Sequence, residues 1–304
     1  MNILKLIRPL NLLLIAFMQV ALKFGLFLPF EAATTLTTSQ FTLLVMATLC
    51  IAAGGNVIND IYDVAIDRIN KPSKVLVGTK VSENTANRWY LILTTAGVGI
   101  GFYLANSIEK PGFAALFVII AALLYLYASY IKAMLLAGNV LISALVAMSI
   151  LIVGLFELLP AIVPENQASQ WVIFKILLDF AMFAFVLNLI REIVKDLQDI
   201  NGDKKGEINS LAIALGRKRA TTIVFVLGVF TMCGIIYYMY VNLYSSQLVI
   251  GYFLLFIIGP LLYFCTKAWS AATEKDYTKL SWLLKVIMFF GIGSMLLYRF
   301  VPIA

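Results

Sequence analysis

Long apolar runs constrain this chain more than any other feature of its sequence. A helix that crosses a bilayer needs about 20 consecutive apolar residues. Nine runs approach that length, near residues 10–30, 40–63, 88–106, 112–131, 137–160, 170–190, 220–243, 247–268 and 280–301. The chain is 62% hydrophobic and only 13% charged, which excludes a soluble globular domain. The sequence therefore predicts an all-α, polytopic membrane protein, with nine transmembrane helices in a single domain over residues 1–304.

The first run is the weakest of the nine, because Gln19 and Lys23 interrupt it. It could pass for a signal peptide. Its apolar part is too long for one, however, and no convincing small-residue cleavage site follows, so we expect a transmembrane helix here.

Charges alternate between the loops on the two sides of the predicted bundle. Basic residues precede the first run and fill every second loop after it, whereas the other four loops contain Glu31, Glu109, Glu157 and Glu165 with a single lysine, Lys110. The positive-inside rule then places the N-terminus and the cap segments near 64–87 and 191–219 in the cytoplasm, and the C-terminus outside the cell membrane. This distribution also argues against a nucleic-acid partner, despite the net charge of +7.

The second run ends in an acidic segment. Asn59, Asp63 and Asp67 are four residues apart, so on a helix they share one face. Asp60 lies beside them, and the basic residues Arg68, Lys71 and Lys74 follow. Carboxylate and amide oxygens next to a basic rim suit a hard cation that carries a phosphate group.

A second acidic segment follows the sixth run. Glu192, Asp196, Asp199 and Asp203 again fall on one helical stripe, with Lys195 among them. Each stripe closes the second span of a four-span group, and an even number of spans gives both groups the same orientation. We therefore expect the stripes to face each other at the cytoplasmic side, related by a pseudo-axis normal to the membrane.

Two opposed aspartate sets holding Mg²⁺ would clamp a pyrophosphate at the mouth of an apolar helical bundle. The ligand would then have a diphosphate head and a long lipid tail, and the plausible reaction is cleavage of an allylic C–O bond. Aromatic faces would stabilise the carbocation, with Tyr62 and Tyr127 as candidates. The chain has no histidine, which excludes an imidazole base.

The two segments resemble the signatures of the UbiA superfamily of intramembrane prenyltransferases. Asn59, Asp60, Asp63 and Asp67 match its N-D-x-x-D-x-x-x-D motif, and Asp196, Asp199 and Asp203 match its D-x-x-D-x-x-x-D motif. The segment from Tyr127 to Lys132 resembles the tyrosine–lysine segment of that family. The resemblance implies an enzyme with the UbiA-type fold that transfers a polyprenyl group with the help of Mg²⁺.

The resemblance, together with the reasoning above, assigns roles to individual residues. The predicted metal ligands are Asn59, Asp60, Asp63, Asp67, Asp196, Asp199 and Asp203. The predicted pyrophosphate-binding residues are Asn59, Lys71, Lys74, Lys195, Arg8 and Asn11, although the position of Arg8 favours the role of a topology anchor. The predicted catalytic residues are Asp63, Asp67, Asp199, Asp203, Lys132 and Tyr127.

The sequence around Ile69-Asn70-Lys71-Pro72 is most similar to the corresponding sequence in the branch of the family that makes digeranylgeranylglyceryl phosphate. That similarity implies a donor such as geranylgeranyl pyrophosphate and a lipophilic acceptor like geranylgeranylglyceryl phosphate. One departure is that many relatives have two arginine–proline pairs, where this chain has Lys71-Pro72 and Lys74-Val75. Lysine offers a point charge rather than a bidentate fork.

Two alternatives stay open at this level. Relatives that prenylate aromatic acceptors for quinone or haem biosynthesis share the same ion site. A secondary transporter would also carry carboxylates within its spans, but these are expected near the midplane rather than at one membrane side.

Overall fold

The computed structural model describes residues 2–301, with the side chains of Asn2 and Lys74 left out of that description. Within this range the chain is helical and forms no strand, apart from an isolated bridge between Val77 and Val81. The helices are α1 (Asn2–Leu6), α2 (Pro9–Ala21), α3 (Thr38–Tyr62), α4 (Val64–Asn70), α5 (Glu83–Ser107), α6 (Ala114–Ser129), α7 (Ala137–Glu157), α8 (Gln167–Lys205), α9 (Leu211–Ala214), α10 (Arg217–Asn242), α11 (Gln247–Phe253), α12 (Gly259–Trp269) and α13 (Glu274–Ser294). Short π-helical stretches extend α2 through Phe27 and join α11 to α12.

Eight helical segments in residues 2–301 are long and apolar enough to cross a membrane. They are Pro9–Phe27, Thr38–Tyr62, Pro111–Ser129, Ala137–Ala161, Gln167–Lys205, Arg217–Asn242, Gln247–Trp269 and Glu274–Phe300. The predicted all-α membrane architecture is therefore confirmed, whereas the count of nine spans is not, because the 25-residue α5 is not among the eight.

Glycines explain the close packing of α5 against its neighbours. A Cβ added at Gly97 would lie 2.6 Å from the Ile51 side chain on α3, and one added at Gly101 would lie 2.3 Å from the ring of Phe117 on α6. The hydrophobic effect does not drive helices together within a membrane, because the lipid is itself apolar. Small residues let helices approach closely, so that van der Waals contact stabilises their association. Helix α5 thus packs tightly against its neighbours although it is less apolar than they are.

The longest helix is α8, with 39 residues. At about 1.5 Å per residue it extends roughly 58 Å, about twice the thickness of the hydrocarbon core. The predicted run ended near residue 190, but the helix continues without a break to Lys205. The whole second acidic segment therefore lies on this continuous helix, as its spacing predicts.

The first acidic segment lies at the junction of α3 and α4. The amide of Asp63 donates to the carbonyl of Asn59 at 2.9 Å, and the amide of Asp67 donates to the carbonyl of Asp63 at 2.8 Å. Because these bonds continue the helical pattern, Asn59, Asp63 and Asp67 stay on one face.

The two polar residues that interrupt the first apolar run both find partners inside the protein. Gln19 is fully buried, and its amide donates to Thr48 Oγ1 at 3.2 Å and to the Ser149 carbonyl at 3.1 Å. Lys23 forms an ion pair with Glu157 at the end of α7, at 2.6 Å. Inward-facing partners of this kind explain how a helix with a lysine can lie in the bundle.

Candidate active site

A cavity of about 1050 Å³ lies within the helical bundle. Its lining changes along α3 from Thr48 and Ile51 to Asn59 and Asp63, and residues of α8 change in the same way. On α8 the lining runs from Phe180 and Phe183 to Asp196, Asp199 and Asp203. The cavity therefore has an apolar depth and a charged mouth, and both acidic segments contribute to that mouth.

Within the first segment, Asp63 has the most elaborate set of contacts. Its carboxylate is buried, accepts a hydrogen bond from the amide of Asn59 at 2.6 Å and forms an ion pair with Lys132. Asp60 pairs with Arg8 at 2.5 Å. Lys132 comes from the turn between α6 and α7, so the segment is tied to two other parts of the chain.

Within the second segment, Asp196 and Asp199 contact different elements. The amide of Asn139 on α7 donates to the carboxylate of Asp196 at 2.8 Å. Lys71, directly after α4, forms an ion pair with Asp199 at 2.5 Å. Asp203 is buried and also lines the cavity.

Two contacts join α4 to α8 and so hold the two acidic segments together. Besides the Lys71–Asp199 ion pair, the backbone amide of Gly202 donates to Asn70 Oδ1 at 2.7 Å. Asn70 and Lys71 follow the first motif, and Gly202 lies inside the second. Residues 132 positions apart in sequence are thereby brought to one cavity mouth.

The carboxylates at the mouth lie close enough to repel one another. Burial raises the pKa of Asp67, and repulsion from Asp63 raises it further, while Lys71 and Lys132 oppose the shift. In the part of the chain that the structure describes, no three acidic side chains surround a single point that could hold a metal ion. The ion pairs of Arg8, Lys71 and Lys132 instead separate the carboxylates.

The cavity is lined by nearly all the predicted site residues. These are Arg8, Asn11, Asn59, Asp60, Asp63, Asp67, Lys71, Tyr127, Lys132, Lys195, Asp196, Asp199 and Asp203. The side chain of Lys74, the remaining predicted residue, lies outside the described part of the structure.

Tyr62 is the clear exception among the residues considered for the reaction. It is 44% exposed, does not line the cavity, and its hydroxyl forms a hydrogen bond of 3.1 Å with that of Tyr125. The prediction that its ring stabilises a carbocation is wrong. The reason is geometric, since adjacent helical residues such as Tyr62 and Asp63 point about 100° apart.

Several polar residues line the cavity but were not predicted as site residues, among them Asn139, Arg191, Glu192 and Lys285. One sequence signal could have revealed Lys285, because a lysine inside an apolar span marks a functional position by default. Asn139 carried no such signal, since it reaches Asp196 only through the packing of α7 against α8.

Gly202 permits a test of the contact between α4 and α8. A Cβ at this position would lie 2.4 Å from the Asn70 side chain, so we expect Gly202→Ala to displace Asn70 and break its bond to the backbone. The cost should be about 1–3 kcal/mol, as for other overpacked sites. Thermal unfolding in detergent should show a lower midpoint.

The matched control is Gly99→Ala on α5, where an added Cβ meets no atom within 4 Å. This change should leave the midpoint unchanged or raise it, because alanine is the better helix former. Equal midpoints for the two variants would show that Gly202 is not packed against Asn70.

Known proteins share this architecture. The UbiA prenyltransferase family model matches residues 12–293. The digeranylgeranylglyceryl phosphate synthase of Sulfolobus acidocaldarius is 34% identical over 63% of this chain, and the match spans 64% of that relative, just under two thirds. The protein of the same name from Korarchaeum cryptofilum is 31% identical over 81% of each chain.

Solved structures have a similar fold. One, from work on digeranylgeranylglyceryl phosphate synthase in membranes, superposes with a TM-score of 0.61 at 25% identity and covers 98% of both chains. A UbiA homologue from Archaeoglobus fulgidus, bound to GPP and Mg²⁺, has a TM-score of 0.59 at 16% identity and covers 97% of this chain and 99% of its own. By the family match, this chain belongs to the UbiA prenyltransferase family and is a membrane-embedded prenyl-transferring enzyme.

Proposed function

We propose that the protein transfers a geranylgeranyl group from geranylgeranyl pyrophosphate to the free hydroxyl of a glycerol phosphate lipid that already carries one such chain. The observation that carries the proposal is the cavity, which joins an apolar depth to a mouth lined by both acidic segments. The names of the Sulfolobus and Korarchaeum relatives support the choice of donor and acceptor.

Mg²⁺ is the cofactor that suits the donor set at the mouth. It binds proteins through one or two carboxylates and takes its remaining ligands from water and substrate phosphates. Asp63 and Asp67 on one side, and Asp199 and Asp203 on the other, offer carboxylates in such small groups. Bound there, Mg²⁺ would stabilise the charge that develops on the departing pyrophosphate. The ion bound in the Archaeoglobus homologue supports this choice.

The chain's own residues would contribute in two ways. Lys71 and Lys132 each pair with an aspartate of the mouth. When pyrophosphate is bound, each ammonium group could bind a phosphate oxygen instead of its aspartate. The apolar depth, including Phe117, Phe180 and Phe183, would hold the prenyl chain and exclude water from the allylic carbon. Tyr127 would offer its aromatic face near the mouth.

The proposed reaction is balanced without a further reactant. The allylic C–O bond breaks, and its electron pair leaves with the pyrophosphate. The hydroxyl oxygen of the acceptor forms a new ether bond to that carbon and releases its proton.

We also propose that the mouth faces the cytoplasm, as a single domain of the cell membrane with its C-terminus outside. Support comes from the loop charges, because the segments that form the mouth are those with most of the basic residues.

The proposal is tested by mass spectrometry of products made by the purified protein. Geranylgeranyl pyrophosphate would be supplied with geranylgeranylglyceryl phosphate, hydroxybenzoate or dihydroxynaphthoate, each with Mg²⁺ and with EDTA. We expect a product only from the glycerol phosphate lipid, and none in EDTA. Prenylation of an aromatic acceptor instead would move the protein to the quinone-related branch of the family.

A further inference from the structure

A cluster of cationic side chains lines the cavity beside the aspartates of the second acidic segment. Arg191 and Lys195 lie on α8, two turns and one turn before Asp199, and Lys285 lies in the middle of α13. We call these three residues the basic cluster. It shares the cavity with the acidic mouth but belongs to a different set of contacts.

The basic cluster has more positive charge than its partners neutralise. Arg191 and Lys195 both pair with Glu192, at 3.1 Å and 2.6 Å. Lys285 contacts only a neutral group among the described residues, donating to Asn11 Oδ1 at 3.3 Å. Two of the three cations therefore share one carboxylate, and Lys285 has no carboxylate partner among the described residues.

The geometry of the cluster leaves hydrogen-bonding capacity unused. The Nε atom of Arg191 is buried and has no hydrogen-bond partner among the described residues. Lys285 is also close enough to Arg191 and Lys195 to be repelled by both. A cation without a counter-charge is costly inside a membrane bundle, so Lys285 beside the shared Glu192 carboxylate indicates an anionic ligand.

This ligand need not be the pyrophosphate of the donor. The acidic mouth has its own cations, Lys71 and Lys132, which touch Asp199 and Asp63 directly. Lys195, predicted from the sequence to bind pyrophosphate, is paired with Glu192 inside the basic cluster instead of with an aspartate of the mouth. The cavity thus contains two groups of cations, one paired with aspartates of the mouth and one gathered around Glu192.

We propose that Arg191, Lys195 and Lys285 bind the phosphate of the lipid acceptor, an inference that rests on the proposed function. A planar guanidinium can grip two phosphate oxygens at once, and the two ammonium groups add point charges. The cluster then selects phosphorylated glycerolipids, because a neutral acceptor would leave Lys285 without an anion and would leave Arg191 and Lys195 to share Glu192.

The test compares two acceptors with the purified protein and Mg²⁺: geranylgeranylglyceryl phosphate and geranylgeranylglycerol, which lacks the phosphate. We expect the unaltered protein to favour the phosphorylated acceptor by at least about 100-fold in kcat/KM. Lys285→Met should raise the KM for this acceptor by about 10- to 100-fold and reduce the preference, while the KM for geranylgeranyl pyrophosphate stays the same. Lys285→Arg should restore most of the acceptor affinity.

The matched control is Lys279→Met, an exposed lysine on the same helix that does not line the cavity. This variant should change neither the KM for the acceptor nor the KM for geranylgeranyl pyrophosphate. Unfolding midpoints of all variants, measured in detergent, separate a loss of binding from a loss of fold.

The outcomes distinguish this inference from the proposed function. No transfer to the phosphorylated acceptor by the unaltered protein would overturn both. Transfer to it, with a Lys285→Met variant that raises the donor KM or changes neither KM, would overturn only the assignment of the basic cluster. Equal use of the two acceptors by the unaltered protein would also overturn that assignment.

Discussion

Asparagine in place of Asp199 is expected to lower kcat by about 10³-fold while leaving the fold intact, since several kcal/mol of charge stabilisation would be lost. Asparagine has almost the same shape as aspartate, so the packing of α8 should be kept. It cannot supply the anionic oxygen proposed for Mg²⁺, and it leaves Lys71 without the partner it holds at 2.5 Å. Asp63→Asn should behave similarly, because Asp63 is the partner of Lys132.

Product formation would be measured at saturating donor and acceptor over a range of Mg²⁺ concentrations. Both variants should need a higher Mg²⁺ concentration for half-maximal activity. The control is Asp179→Asn, on the same helix as Asp199 but outside the cavity lining. It should keep its turnover. Normal turnover in Asp63→Asn or Asp199→Asn would count against two acidic segments acting on one pyrophosphate.

The architecture was accessible from the sequence because hydropathy and helical spacing are local properties. Runs of apolar residues located the spans, and the four-residue spacing placed Asp63 with Asp67 on one face. Helix α5 shows where this reasoning weakens. Its glycines let it pack closely on α3, and this effect depends on three-dimensional structure.

The candidate site was predictable in its acidic part for the same reason. Both acidic segments reach one cavity, as their equal position in the two four-span groups indicates. Tyr62 lies outside the cavity because its side chain points away from the face that Asp63 shares with Asn59. Lys195 was predicted as a site residue, whereas Arg191 and Lys285 were not, because they lie on helices that are far apart in sequence and meet only in the folded bundle.

Pairings between distant residues are likewise beyond local patterns. Glu157 was read as an acid of an outer loop, and Lys23 as an interruption of the first run. In the structure they form one ion pair across 134 positions. The carboxylate of Glu157 is fully buried and also accepts a hydrogen bond from the Leu36 amide at 3.0 Å. The nitrogen of Lys23 lies 4.5 Å from the centre of the Phe41 ring.

Lys23→Met should therefore destabilise the protein strongly, because it leaves the Glu157 carboxylate buried without its counter-charge. Breaking a buried ion pair by removing one partner costs about 3–5 kcal/mol, which should lower the thermal unfolding midpoint in detergent by roughly 5–10 °C. The pair lies outside the cavity lining, so the KM values of the molecules that remain folded should not change.

The double variant Lys23→Met with Glu157→Met separates the value of the pair from the cost of an unpaired charge. Two apolar side chains of similar size need no counter-charge, and replacing a whole buried pair in this way is often neutral or stabilising. The midpoint should therefore recover most of the loss seen in Lys23→Met. Glu157 also accepts from the Leu36 amide, which the double variant leaves buried without an acceptor. The recovery should therefore stop short of full by about 1–3 kcal/mol. A Lys23→Met variant as stable as the unaltered protein would show that the two side chains do not meet in the membrane.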